Sequence, residues 1–189
     1  MPMPRTAHTA ATTREEDGFT LIELLIVVAV IGLLAAIAVP GLMSARRSGN
    51  QASAIASLRA IDSAQRTFAT SCGFGAFATL LTHLGTPPTA GGAGFISVDL
   101  GLADTINKSG YIVTMAPGTD GTASPFDACN GVVGADLSTT FYATAEPEVP
   151  GGTGTLYYWL GTAGTIFEDV AAIPATNGLS SAPGGTPIQ

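Results

Sequence analysis

From Phe19 to Val39 the chain reads Phe-Thr-Leu-Ile-Glu-Leu-Leu-Ile-Val-Val-Ala-Val-Ile-Gly-Leu-Leu-Ala-Ala-Ile-Ala-Val, 21 residues whose only charge is Glu23. At ~1.5 Å rise per residue, a helix of that length spans the ~30 Å hydrocarbon core of a bilayer. The stretch reads as a membrane segment, and Glu23 is its anomaly. A carboxylate at that depth costs from ~2.5 to well over ~10 kcal/mol on different insertion scales, so a chain that carries one there has a use for it. Its natural partner is a positive charge at the same depth. A cut between Gly18 and Phe19 would create one, because the new amine on Phe19 stands one helical turn before Glu23 and is open to a neighbour's Glu23 as well.

The heptapeptide Gly18-Phe19-Thr20-Leu21-Ile22-Glu23-Leu24 resembles the cleavage and methylation site of type IV prepilins and of the related type II secretion pseudopilins. The resemblance implies that a membrane prepilin peptidase cuts after Gly18 and methylates the amine of Phe19. It also implies that Glu23 guides assembly by pairing with the amine of an adjacent subunit. Pro40, 22nd in the mature chain, matches the helix-breaking proline common in these proteins, and a kink or local melting is expected at Pro40-Gly41. Glu15, Glu16 and Asp17 depart from the family habit of a lysine or arginine before the cleavage glycine. Arg5 and Arg14 balance Arg46 and Arg47 across the apolar run, so counting positive charges leaves the orientation to the resemblance.

Four stretches follow. Residues 1–18 form a polar leader that precedes the apolar run, whereas a secretory signal contains its apolar core and is cut after it. Residues 19–40 are the membrane half of a long helix, in which Gly32 permits close helix approach. Residues 41–71 are its amphipathic half, rich in Ala, Ser, Gln and Arg, with Gly49-Asn50 as the weak point. There Ile55, Leu58, Ile61 and Phe68 fall on one side at helical spacing, and Arg59, Asp62 and Arg66 on another, where Asp62 can pair with either arginine. Residues 72–189 are a globular head.

In the head, 24 glycines and 12 prolines in the whole chain and only 11% charged residues favour a loop-rich β structure. Gly73 to Gly75 end the helix, Phe77 to Leu84 suit a short helix, and Pro87-Pro88 with Gly91-Gly92 mark an exposed loop. Short β-branched or aromatic runs at Gly110–Ala116, Thr140–Ala145, Leu156–Leu160 and Thr165–Glu168 read as strands, the last two as a hairpin about Gly161-Thr162-Ala163-Gly164. The tail Pro174–Gln189, made largely of Gly, Pro, Ser and Thr, is expected to lie loose on the surface. The fold class is α+β: a long N-terminal helix packed on a small antiparallel sheet, pilin-like.

Little in the chain suggests catalysis. His8 leaves with the leader, His83 stands alone, and no nucleophile-elbow, zinc-ligand or phosphate-loop spacing occurs. No cofactor is expected. Asp120, Asp127, Asp136 and Asp169 lie in turn-like segments without EF-hand spacing, so capping is their expected role and no metal is assigned, although major pseudopilins hold calcium in a late loop. Asn107-Lys108-Ser109 fits a short glycosylation sequon. Of Tyr111, Tyr142, Tyr157, Tyr158 and Trp159, strand alternation places about half in the core rather than in an exposed adhesive or conductive set. Cys72 and Cys129, an even pair after the membrane segment, favour a disulfide over two buried thiols.

From Phe19 to Thr70 four arginines face Glu23 and Asp62, whereas beyond it Lys108 stands against nine acids. Such a head repels phosphate backbones and argues against direct nucleic-acid binding. The expected function is a structural subunit of a type IV pilus-like helical filament for motility, adhesion or DNA uptake, or alternatively a type II secretion pseudopilin or a minor pilin. The partners implied are copies of itself, prepilin peptidase, the inner-membrane assembly platform and membrane lipid. The expected location is the bacterial inner membrane before assembly and an extracellular pilus or periplasmic pseudopilus after it.

Overall fold

A computed structural model describes residues 18–173 and 184–188. The leader up to Asp17 and most of the tail lie outside the described residues. The chain forms two compact units, Met1–Leu42 and Met43–Gln189. Helix α1 spans Leu21–Ser71 and is helical through Pro40. Pro40 therefore neither ends the helix nor melts it. Its ring removes only the N–H that the Ala36 carbonyl would accept, and the Ala- and Leu-rich residues around it sustain helix on both sides.

The second unit is built on the residues of α1 that repeat at helical spacing. Leu58, Ile61 and Phe68 are fully buried, and Ile55 is partly so. Burying each such side chain is worth roughly 1.5–3 kcal/mol. They join one core with the inward residues of a six-stranded antiparallel sheet. Its strands are β2 (Thr105–Lys108), β3 (Tyr111–Pro117), β5 (Phe141–Pro147), β6 (Tyr157–Gly161), β7 (Ile166–Asp169) and β8 (Thr186–Ile188), in the order β2-β3-β5-β6-β7-β8. The register aligns Val113 with Ala145 and Tyr158, and Met115 with Ala143, Leu160 and Ile166, so these residues share the face toward α1. Small Ala143 and Ala145 on the central strand leave room for the large side chains of the helix.

Four of these strands stand where the short aromatic or β-branched runs predict them, and the β6–β7 hairpin turns at the expected loop. Two do not. Strand β2 pairs with β3 through a two-residue turn, Ser109-Gly110, in which both residues have positive φ, 51° and 71°. This is the primed geometry that matches strand twist in tight hairpins. Strand β8 shows that the end of the tail is not loose: Thr186, Pro187 and Ile188 pair with Glu168, Phe167 and Ile166. Proline is tolerated there because β8 is an edge.

The segment expected as one short helix divides into β1 (Phe77–Ala78) and α2 (Leu81–Gly85), followed by α3 (Val98–Gly101). Strand β1 pairs with β4 (Leu137–Ser138), which follows a 3-10 turn at Gly134–Asp136. A buried glutamine explains why Ala78 is extended. Gln65 on α1 donates from Nε2 to the Ala78 carbonyl (2.6 Å) and accepts the Ala78 N–H at Oε1 (3.0 Å). Gln65→Leu would strand both backbone groups in the core at a cost of about 2–4 kcal/mol. Urea unfolding measures this, and a shift below about 0.5 kcal/mol would remove Gln65 from that role.

Candidate functional site at the start of the long helix

The apolar first part of α1 is exposed. Each large apolar side chain from Phe19 to Met43 is about half exposed or more, and Phe19 reaches 89%. The helix is long and apolar enough to cross a membrane. Gly18 and Phe19 lie just before its first turn, in exposed backbone with open space about the Gly18 Cα.

Glu23 is not isolated there. Thr20 donates to Glu23 Oε2 from its backbone N–H (3.0 Å) and from its hydroxyl (2.7 Å), and the Glu23 N–H donates back to Thr20 Oγ1 (3.3 Å). This reciprocal set is a capping box, which satisfies helix-start donors that have no partner within the helix. The carboxylate also stands at the positive end of the helix macrodipole. Sequence reasoning misses this role of Thr20, although Thr-x-x-Glu before an apolar run is its signal. The arrangement holds the carboxylate at the helix start, within one turn of the residue whose amine a cut after Gly18 would free.

The remaining residues of interest lie apart from this site. Pro40 is 17 residues further along α1. Cys72 and Cys129 form a disulfide that ties the end of α1 to the loop before the 3-10 turn, with Cα atoms 4.8 Å apart. Asp62 pairs with Arg66 at 3.0 Å, which raises the Arg66 pKa further, while Arg59 is exposed. His83 is half-buried, and burial lowers its pKa against the smaller opposing effects of Asp136 and Asp104.

The four aspartates raised as possible metal ligands are not gathered. No group of three or more His, Cys, Asp or Glu side chains arranged to hold a metal occurs among the described residues. Asp127 accepts the Gly134 N–H, Asp120 the Thr140 hydroxyl and Asp169 the Ala171 N–H, which are turn-capping contacts. Asn107 is exposed on the edge strand β2. Tyr111, Tyr158 and Trp159 are buried, and Tyr142 and Tyr157 are partly exposed.

A long helix with a bare apolar start, a carboxylate in its first turn and an antiparallel sheet packed on its later residues define a pilin-like α+β chain. Residues 13–39 match the Prokaryotic N-terminal methylation motif. The chain is similar to the type IV major pilin protein PilA of Myxococcus xanthus, 51% identical over 51 residues that cover 27% of this chain and 23% of that one. It is similar also to the type IV wide pilus major component PilA4 of Thermus thermophilus, 57% identical over 37 residues, 20% of this chain and 28% of that one. The type II secretion system core protein G of Aeromonas hydrophila is 35% identical over 51 residues, 27% and 36% of the respective chains. The N-terminal part of the chain is thus similar to type IV pilins and to a type II secretion core protein, and the match spans between about a quarter and a third of those relatives' lengths. No solved structure matches the chain.

Proposed function

We propose that the chain is the precursor of a structural, non-catalytic subunit of a type IV pilus-like filament. A prepilin peptidase cuts after Gly18 and methylates Phe19, and the subunit waits in the bacterial inner membrane as a single-pass protein. An assembly platform then brings copies together through α1, in a filament that serves motility, adhesion or DNA uptake.

The observation that carries this reading is the bare apolar start of α1 with its one carboxylate held in the first turn. In lipid that surface is satisfied. Outside lipid it is covered only if α1 packs against α1 of other copies, since helix association then replaces lipid contacts with side-chain packing. A free amine on Phe19 pairing with a neighbour's Glu23 in such a bundle favours one stagger over others, because an unpaired charge there is costly. The acidic head is left outside, where it disfavours nucleic-acid contact.

The similarity to core protein G supports a second reading, a pseudopilin that acts within a secretion machine. Intact-mass measurement on filaments sheared from native cells separates the two. A dominant species that begins at methylated Phe19 and is two hydrogens lighter for the disulfide is expected from a pilin. The same cleaved species found only in the membrane fraction would favour the pseudopilin, and a mass retaining the leader in assembled material would overturn the cleavage assignment.

A further inference from the structure

The end of α1 carries an aromatic pair that the chain leaves in the open. Phe74 is 72% exposed and Phe126 60%, with ring centroids 5.7 Å apart. Phe74 holds φ at 53°, a left-handed conformation that bulky side chains rarely adopt. The Cys72–Cys129 disulfide fixes the backbone beside both rings. The pair is therefore pinned in place and displayed.

We propose that this aromatic face docks onto the Met43–Arg46 segment of α1 in a second copy of the chain. Charge is the first argument. Asp127, next to Phe126, accepts the Gly134 N–H and has no cation partner among the described residues. The only cation beyond α1, Lys108, is held by Asp99 at 2.6 Å. Arg47 donates to the Gly152 carbonyl and Arg66 to Asp62. Arg46 and Arg59 are the cations left without an acid or a hydrogen bond among the described residues. Of these, Arg46 lies three residues after Met43, on the same side of the helix, and Met43 is itself half exposed. A thioether suits the edges of two phenyl rings, and a guanidinium suits a carboxylate beside them.

Length is the second argument. Met43 and Ser71 are joined by unbroken helix, ~42 Å at ~1.5 Å per residue, so one copy cannot bring its own Met43 to its own Phe74. A second copy displaced along the helix axis by about that distance can. The contact would thus set an axial repeat between heads, in addition to the packing of the apolar stems. The proposal rests on the filament reading, and its test keeps the two apart.

The test is a charge exchange in the full-length chain, expressed in native cells, with sheared filament measured against cleaved subunit in the membrane. Arg46→Glu and Asp127→Arg are each expected to lower that ratio roughly tenfold, as loss of a close interfacial charge pair does. The double variant is expected to return to within about twofold of the parent. A double variant no better than the worse single, singles that assemble like the parent, or equal rescue of Asp127→Arg by Arg59→Glu would each overturn the pairing. Membrane levels of disulfide-bonded, cleaved subunit equal to the parent's show that a loss lies in assembly; a loss explained by subunit level alone counts against the contact. If the parent chain itself gave no sheared filament, the filament reading would fail and this contact with it, whereas filaments that ignore the exchange overturn the contact alone.

Discussion

Glu23→Ala is expected to leave the precursor inserted and cut while sheared filament falls by at least about tenfold relative to membrane subunit. The effect depends on where the charge sits. In the precursor the carboxylate is served by Thr20, so insertion does not depend on a second copy. In a bundle of stems the Phe19 amine would be buried among apolar side chains, and an amine left without a counter-charge there is penalised by several kcal/mol. Removing the carboxylate therefore acts on assembly and not on the single chain. Two further substitutions separate the charge from the cap. Glu23→Gln keeps a side chain able to accept from Thr20 but has no charge, and it should fail as Glu23→Ala does. Thr20→Val removes the hydroxyl and leaves the carboxylate, at the roughly 0.5–2 kcal/mol that a lost cap costs, so assembly should be only mildly reduced. Normal filaments from Glu23→Gln would show that capping, not ion pairing, is what the residue supplies.

Opening the disulfide is the second large effect. Cys72 and Cys129 close a chain separation of 57 residues, for which the chain-entropy model gives about 4 kcal/mol of stabilisation. A domain of this size is typically stable by only ~5–15 kcal/mol, so the loss is a large share. The neighbouring contacts are not strong enough to replace it. Besides the bridge, the Cys129 N–H donates to the Cys72 carbonyl at 3.1 Å, and Phe68 meets Phe95 edge-on with centroids 5.2 Å apart. Denaturant unfolding of the detergent-extracted chain, before and after reduction, should show the difference, and the Cys72→Ser, Cys129→Ser double variant should match the reduced form. A change below about 1 kcal/mol would mean that the reduced loop is already confined in the unfolded chain.

Much of this architecture is readable from spacing. Leu58, Ile61 and Phe68 recur at helical period and are buried together, and short aromatic or β-branched runs mark β3, β5, β6 and β7, of which β3 alternates between buried and half-buried residues. The misses have physical causes. Strand β2 is an edge of Thr, Ile, Asn and Lys with little apolar content, so its signal lies only in the Ser109-Gly110 turn. Strand β8 contains Pro187, which local rules count against a strand although an edge accommodates it. Gln65 reads as a solvated helix residue until Ala78 is brought beside it. At the helix start the motif singles out Gly18, Phe19 and Glu23 as candidates, while the Thr20 capping contact is hidden behind the more obvious need of Glu23 for a positive partner. The exposure of Phe74 and Phe126 has no local signature, since it depends on which segments the rest of the unit covers.

Near the other end of its head-bound portion, α1 is fastened by three polar side chains to a single loop. Arg47 Nε donates to the Gly152 carbonyl (3.2 Å), Asn50 Nδ2 to the Thr153 carbonyl (2.9 Å) and Gln51 Nε2 to Thr155 Oγ1 (3.2 Å). In mechanical terms this is a clamp at one end of a rod whose far end is covalently bolted at Cys72. A pull along α1 would load these three hydrogen bonds. If they gave way, tension would pass through the buried helix face to the sulfur bridge, bypassing the chain between Cys72 and Cys129. The head thus meets a pull on α1 first with polar contacts to a loop and last with a covalent bond.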